Sequence, residues 1–258
     1  MSLKEHEYVR QTLERYTNCK LEQFCDHVLI TNFKQYIKRF QEKTKGKYSE
    51  GNFRIVNSPE KNCTMIDFGI GSPQAALIIN CLAYLDNLKS VIMLGMCGGI
   101  DDTLEVGNFL VPSAAIRGEG TSNDYFPSEV PALPSFKLHK FVSDKILAHG
   151  VDYRTGVIYT TNRRVWEHDL AFHKKLHDMT CIGIDMETAT LFIVGHANAI
   201  AHGALLLVSD VPVTPEGVKT EESDRKVTEN WVDLHLRIGI EAMTEIGQKG
   251  EHIKHFRY

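Results

Sequence analysis

The chain has 258 residues, 43% of them hydrophobic, which is enough for one sizeable core and favours a single domain. Its 29 basic and 33 acidic residues give a formal net charge of -4, which excludes the polycationic surface of a nucleic-acid binder but leaves room for a local cluster of arginines around a small anion. Six cysteines, at 19, 25, 63, 81, 97 and 181, stand singly without zinc-site spacing and read as buried, reduced thiols. The opening Met1-Ser2-Leu3-Lys4-Glu5-His6-Glu7 lacks a signal peptide's apolar core and a transit peptide's scarcity of acids, and no apolar run reaches bilayer-spanning length. A cytoplasmic protein with no membrane partner is the expectation.

In chain order, Val28–Thr31 is the first strand candidate, followed by a helical segment from about Phe33 to Glu42 and a turn over 46–51. Phe53–Val56 and Cys63–Phe68, separated by turn-forming residues 57–62, suggest a hairpin. After Gly69-Ile70-Gly71, Ser72 is placed to cap a helix whose first position holds Pro73, where no amide hydrogen is missed. Ser90–Leu94 reads as a buried strand ending in Gly95-Met96-Cys97-Gly98-Gly99, and 108–112 as a short one running into the polar segment 117–125. Helical patterns follow over 136–148 and about 165–177, with a strand at 155–160 between them. Cys181–Met186 is strand-like, 187–202 helical and Gly203–Ser209 a buried strand, and one long helix is expected over about 224–246. Strands apolar throughout and interleaved with helices indicate an α/β fold whose sheet is covered on both faces.

Polar and glycine-rich groups recur at the strand exits, at 69–73, 95–99, 160–164, 185–187 and 209–212. In open α/β sheets such ends gather around one cleft. Gly69-x-Gly71 lacks the third glycine of a dinucleotide fingerprint and the Gly-Lys-Ser/Thr of a phosphate loop, and a tight turn before a helix explains it equally well. Asp210 leaves the apolar run 204–208, where an acid serves as either a loop group or a catalytic acid. Glu187 stands at a helix start, where its charge is favourable in any case, but Asp185 beside it puts two acids on one side of a strand end. Arg163 and Arg164 directly follow a strand and Arg117 opens a polar segment. Guanidinium groups so placed suit either phosphate oxygens or salt bridges. The histidines at 168, 173 and 177 lie among lysines and read as a solvated helix face rather than a metal site.

Five segments together resemble the nucleoside phosphorylase superfamily, specifically its AMP nucleosidase branch: Gly69-Ile-Gly-Ser-Pro, Gly95-Met-Cys-Gly-Gly, Arg117-Gly-Glu-Gly-Thr-Ser-Asn-Asp-Tyr, Thr161-Asn-Arg-Arg-Val-Trp and Asp185-Met-Glu-Thr-Ala-Thr. The resemblance runs from about Val28 to the C-terminal helix. It implies a three-layer α/β/α fold with a mixed central sheet, in which residues 28–258 form the catalytic domain and 1–27 a helical extension. Longer members carry an N-terminal regulatory domain, and the resemblance is to a short form without it.

The implied reaction is hydrolysis of the N-glycosidic bond of AMP to adenine and ribose 5-phosphate, with no metal or cofactor. Asp210 matches the acid that protonates purine N7, Glu187 the carboxylate that holds the ribose hydroxyls, and Met186 the residue packed under the sugar. Gly71, Cys97, Gly98 and Ser209 complete the expected binding loops. Arg117, Arg163 and Arg164, with Lys34, are the candidates for the 5'-phosphate. Met93 and Met96 stand where phosphorylases carry groups for free phosphate, and neither donates a hydrogen bond, which favours water as the nucleophile. Sister nucleosidases carry a glutamate after the first strand where this chain has Asn32, and Glu119 is the candidate to activate water in its place. A purine nucleoside phosphorylase or a non-catalytic nucleotide-binding protein are the alternatives. Members assemble as dimers or hexamers, and a homohexamer is expected here.

Overall fold

In the computed structural model, which describes residues 3–212, 217 and 220–249, helix α1 (Leu3–Thr17) is followed by the fully buried strand β1 (His27–Thr31). Helix α2 (Lys34–Thr44) buries Tyr36, Ile37 and Phe40, the three- and four-residue spacing of one helical face. β2 (Lys47–Glu50), β3 (Arg54–Ser58) and β4 (Cys63–Asp67) form an antiparallel meander. The expected hairpin is therefore present, but the expected turn at 46–51 is largely an edge strand. Its four residues carry no apolar alternation because almost all of it faces solvent.

Helix α3 spans Ser72–Leu82, with Gly71 at its cap position. Ser72 lies inside the helix, and its hydroxyl donates to the Met186 carbonyl at 2.7 Å instead of capping. Strand β5 continues past Leu94 to cover Ser90–Gly99, every residue buried. β6 (Phe109–Leu110) and β7 (Ala114–Gly118) precede α4 (Phe136–Ala148), and β7 takes up the start of a segment read as merely polar. Next come β8 (Tyr153–Arg154), β9 (Val157–Thr161), α5 (Leu170–Asp178), β10 (Gly183–Asp185), α6 (Thr188–Ala197) and β11 (His202–Asp210). The single long helix expected at the C-terminal end is two, α7 (Glu221–Asn230) and α8 (Val232–Lys249), separated at Trp231, whose ring lies against the backbone of Gly107.

The strands make one mixed sheet in the order β2-β3-β4-β1-β5-β10-β9-β7, with β11 along the second edge of β5 and β6 and β8 beyond it. Helices α1, α3 and α6 cover one face and α2, α4, α7 and α8 the other, each over its own apolar cluster. This is the three-layer arrangement expected of the family. Among the described residues no helix is long and apolar enough to cross a membrane.

One detail of register creates the site. β1 runs parallel to β5 and pairs with residues 90–93, whereas β10 runs antiparallel and pairs with the same edge at Gly98 and Gly99. Neither covers residues 94–97. The ends of β1 and β10 therefore face each other across a break in the sheet, beside a stretch of the central strand that is paired only on its other edge, to β11.

Candidate active site

A cleft of about 300 Å³ opens at that break, with Asn32 and Phe33 from the exit of β1, Met96 to Gly98 from β5, Asp185 to Glu187 from β10, and Ser209 and Asp210 from β11 on its walls. The exit of β9 closes the remaining side with Thr161, Arg163, Arg164, Trp166 and Glu167. Asp185, Glu187 and Asp210 thus lie over the sheet ends, and the cations lie, with Glu167, on a loop beyond them.

Glu187 is 1% exposed, and its Oε1 accepts the Gly71 amide at 2.7 Å. Gly71 holds φ +97° and ψ 157°, a region essentially confined to glycine, and this conformation aims its N–H back at the carboxylate. Burial first, and then the neighbouring Asp185 charge, push the Glu187 carboxyl well above the usual carboxylate range, while the Gly71 amide and the Asn32 side-chain amide favour the charged form. Asp185 has a different task. It accepts Thr160 Oγ1 at 2.7 Å, the Thr188 amide at 2.8 Å and Thr188 Oγ1 at 2.5 Å, tying β9 and β10 to the first turn of α6. Burial raises its carboxyl too, against those bonds.

Asp210 ends β11 just after an irregularity in which the ladder skips Ser209, so that Asp210 pairs with Gly98. The extra residue turns the strand end toward the cleft. Ser209 Oγ donates to Asp210 Oδ1 at 2.6 Å, with the Cys97 carbonyl a second acceptor at 3.4 Å. Met186 lines the same cleft, its backbone carbonyl held by Ser72.

At the cationic end, Arg163 Nη2 lies 2.9 Å from Asp169 Oδ2, and the guanidinium sits over the Phe172 ring. Arg164 Nη1 lies 3.0 Å from Glu167 Oε1. The Glu167 side chain is 11% exposed and its Oε2 accepts the Trp166 amide at 2.8 Å. Burial disfavours its charge, but backbone amides of residues 166 and 167 and the Arg164 guanidinium outweigh that and hold the carboxyl below its usual value.

Of the residues singled out from the sequence, Asp210, Glu187, Met186, Cys97, Gly98, Ser209, Arg163 and Arg164 line one cleft, and Gly71 touches it through Glu187. Three others are elsewhere. Arg117 makes all its hydrogen bonds within its own loop, to Ser122, Asn123 and the carbonyls of Phe126, Pro127 and Val130. Lys34 is exposed at the start of α2 and does not line the cleft. Glu119 is 4% exposed outside the cleft, one oxygen accepting the Ser122 amide and the other without a partner. Met96 lines the cleft, whereas Met93 is wholly buried in the core. Sequence reasoning passed over Glu167 and gave Asn32 no task. The signal for Glu167 was its position three residues after Arg164 on a strand-exit loop, and for Asn32 its place at the exit of a fully apolar strand.

A family model described as the phosphorylase superfamily matches residues 24–244. The AMP nucleosidase of Escherichia coli (strain K12) is 25% identical over 210 residues, which make up 78% of this chain and 43% of that protein. The chain thus spans less than half the length of that curated relative. The crystal structure of an AMP nucleosidase from Bacteroides thetaiotaomicron VPI-5482 superposes with a TM-score of 0.84 at 40% identity, covering 96% of this chain and 99% of that one. A uridine phosphorylase structure from Vibrio fischeri ES114 shares the fold, with a TM-score of 0.80 at 23% identity over 92% of this chain and 99% of that one.

Proposed function

This chain belongs to the AMP nucleosidase family of the phosphorylase superfamily, and from that premise we propose that it hydrolyses the N-glycosidic bond of AMP, releasing adenine and ribose 5-phosphate. The observation that carries the reading is the polarity of the cleft, with Asp210 and Glu187 over the sheet ends and Arg163 and Arg164 on the opposite loop. A purine nucleoside 5'-phosphate presents a basic ring nitrogen, vicinal hydroxyls and a dianion in that order. The volume sits at the lower end of the range of about 300–1,000 Å³ usual for small-molecule sites.

In this mechanism Asp210 donates its proton to purine N7 as the C1'–N9 bond lengthens, so that the base leaves neutral. Ser209 holds the Asp210 carboxyl in place. Glu187 accepts hydrogen bonds from the ribose hydroxyls, and its negative charge favours the oxocarbenium-like sugar that develops. Met186 supplies an apolar floor under the ring. Water adds to C1', the oxonium so formed loses a proton to solvent, and Asp210 is reprotonated. Met96, lining the cleft without a hydrogen-bond donor, supports water over inorganic phosphate as the nucleophile.

Arg163 and Arg164 take the 5'-phosphate. Each guanidinium gives one carboxylate contact, to Asp169 or Glu167, and has further N–H donors for the phosphate, so the dianion binds without displacing either acid. The protein works as a homohexamer in the cytoplasm, and the six cysteines, all free and buried, are in keeping with a reducing compartment. Turnover of AMP in phosphate-free buffer tests the reaction, with adenine and ribose 5-phosphate the expected products.

A further inference from the structure

The cleft contains one charged group for which hydrolysis of a mononucleotide has no use. Glu167 lies on its wall next to the arginines, and both of its carboxylate oxygens are tied down, Oε1 to Arg164 at 3.0 Å and Oε2 to the Trp166 amide at 2.8 Å. Asp169, which pairs with Arg163, caps α5 through the Phe172 amide and does not line the cleft. Only Glu167 therefore presents a negative charge to a ligand at the cationic end. A carboxylate held by main chain as well as by a cation does not swing away when an anion arrives, and its bonds keep it ionised.

We propose that Glu167 is a specificity-determining residue that confines the anion subsite to a single phosphate, rejecting nucleoside diphosphates. The inference rests on the reading that Arg163 and Arg164 hold the 5'-phosphate. One phosphate group meets the two guanidinium forks, which have five N–H donors each and retain free donors after pairing with one carboxylate. A second phosphate extends the anion past them and brings its charge against the fixed carboxylate, which at 11% exposure is screened less than a surface charge.

The test compares kcat/KM for AMP and ADP, with ADP also assayed as an inhibitor of AMP cleavage, in the wild-type protein and in Glu167→Gln and Glu167→Asp. The wild-type protein favours AMP, the Gln variant narrows the AMP-to-ADP ratio about tenfold or more and binds ADP more tightly, and the Asp variant keeps most of the discrimination. An unchanged ratio in the Gln variant overturns the proposal. So does an equal loss in both variants, which assigns the effect to shape rather than charge. Wild-type protein that cleaves no AMP removes the underlying reading and this inference with it, whereas AMP cleavage with an unchanged ratio removes this inference alone.

Discussion

Glu187 and Asp210 differ in how they are held, and the difference supports the separate roles proposed for them. Glu187 is enclosed, fixed by one backbone amide and raised by its surroundings, which suits an acceptor whose ionised form is completed by the hydroxyls of a bound sugar. Asp210 is only partly buried at a strand end, fixed by its neighbour's hydroxyl and accessible to a base. Replacing Asp210 by Asn removes the proton and should lower kcat about 100-fold or more while leaving KM for AMP within a few-fold, because acid catalysis acts on the transition state. Glu187→Gln should lower kcat/KM by about 100-fold, as expected for a lost transition-state electrostatic contact. It should also remove the acid limb of the pH profile. That limb follows from the sign of the shift: a raised carboxyl is already protonated above the ordinary carboxylate range, so activity falls as pH drops through the raised value. Steady-state kinetics from pH 5 to 9 checks both variants, and an acid limb that persists in Glu187→Gln assigns it to another group.

Both acids were legible in the sequence because each follows an apolar strand. Which groups hold them was not, since Gly71 and Glu187 are 116 residues apart. Arg117 shows the opposite limit. Its motif marks it out, but only the returning chain reveals that its donors are used by the carbonyls of residues 126, 127 and 130.

At the scale of elements, the turn between β4 and α3 positions the site. Gly71 has open space around its Cβ position, with only Pro73 Cδ at 3.9 Å, so Gly71→Ala introduces strain without a clash. The expected cost is about 1–3 kcal/mol, with kcat/KM falling further as the amide turns away from Glu187. Gly150→Ala, at φ +69° on the exposed end of α4 and away from the cleft, should lose stability without losing activity. Thermal unfolding and kinetics on the two variants separate the roles, and equal activity in both refutes the positioning role. The buried strands and most helices were readable from their apolar runs and spacing. Edge strand β2 and the break at Trp231 were not, because an exposed edge needs no apolar pattern and a helix boundary between two amphipathic stretches leaves the periodicity nearly intact. The antiparallel entry of β10, which opens the sheet and makes the cleft, was equally invisible, since strand direction is a property of topology.

On the scale of the whole molecule, four buried histidines make folding sensitive to acid. Burial lowers the imidazoles of His27 and His235 to about 4 and that of His139 to about 3, and lowers His202 as well. A histidine depressed in the folded state is neutral there, while the unfolded chain takes up its proton near pH 6.5. The stabilisation is therefore complete above about pH 6.5 and is lost as pH falls toward 4, at about 1.4 kcal/mol per pH unit per group. Asp185 and Glu187, raised by burial, act in the opposite direction over part of this window, so the net slope is smaller than four protons' worth. Denaturant unfolding at pH 6, 5 and 4 should show stability declining step by step. A flat or rising curve contradicts neutral, buried histidines.

The same molecule-wide arrangement, a sheet that opens beside β5 and brings acids and arginines from the exits of β9, β10 and β11 into one cleft, is what ties the fold to the proposed reaction. The most direct measurement incubates the purified protein with AMP in phosphate-free buffer and, in parallel, with adenosine plus inorganic phosphate, identifying the products of each. The account predicts adenine and ribose 5-phosphate from AMP alone, with little turnover of adenosine. No cleavage of AMP, together with phosphate-dependent release of ribose 1-phosphate from adenosine, would contradict it.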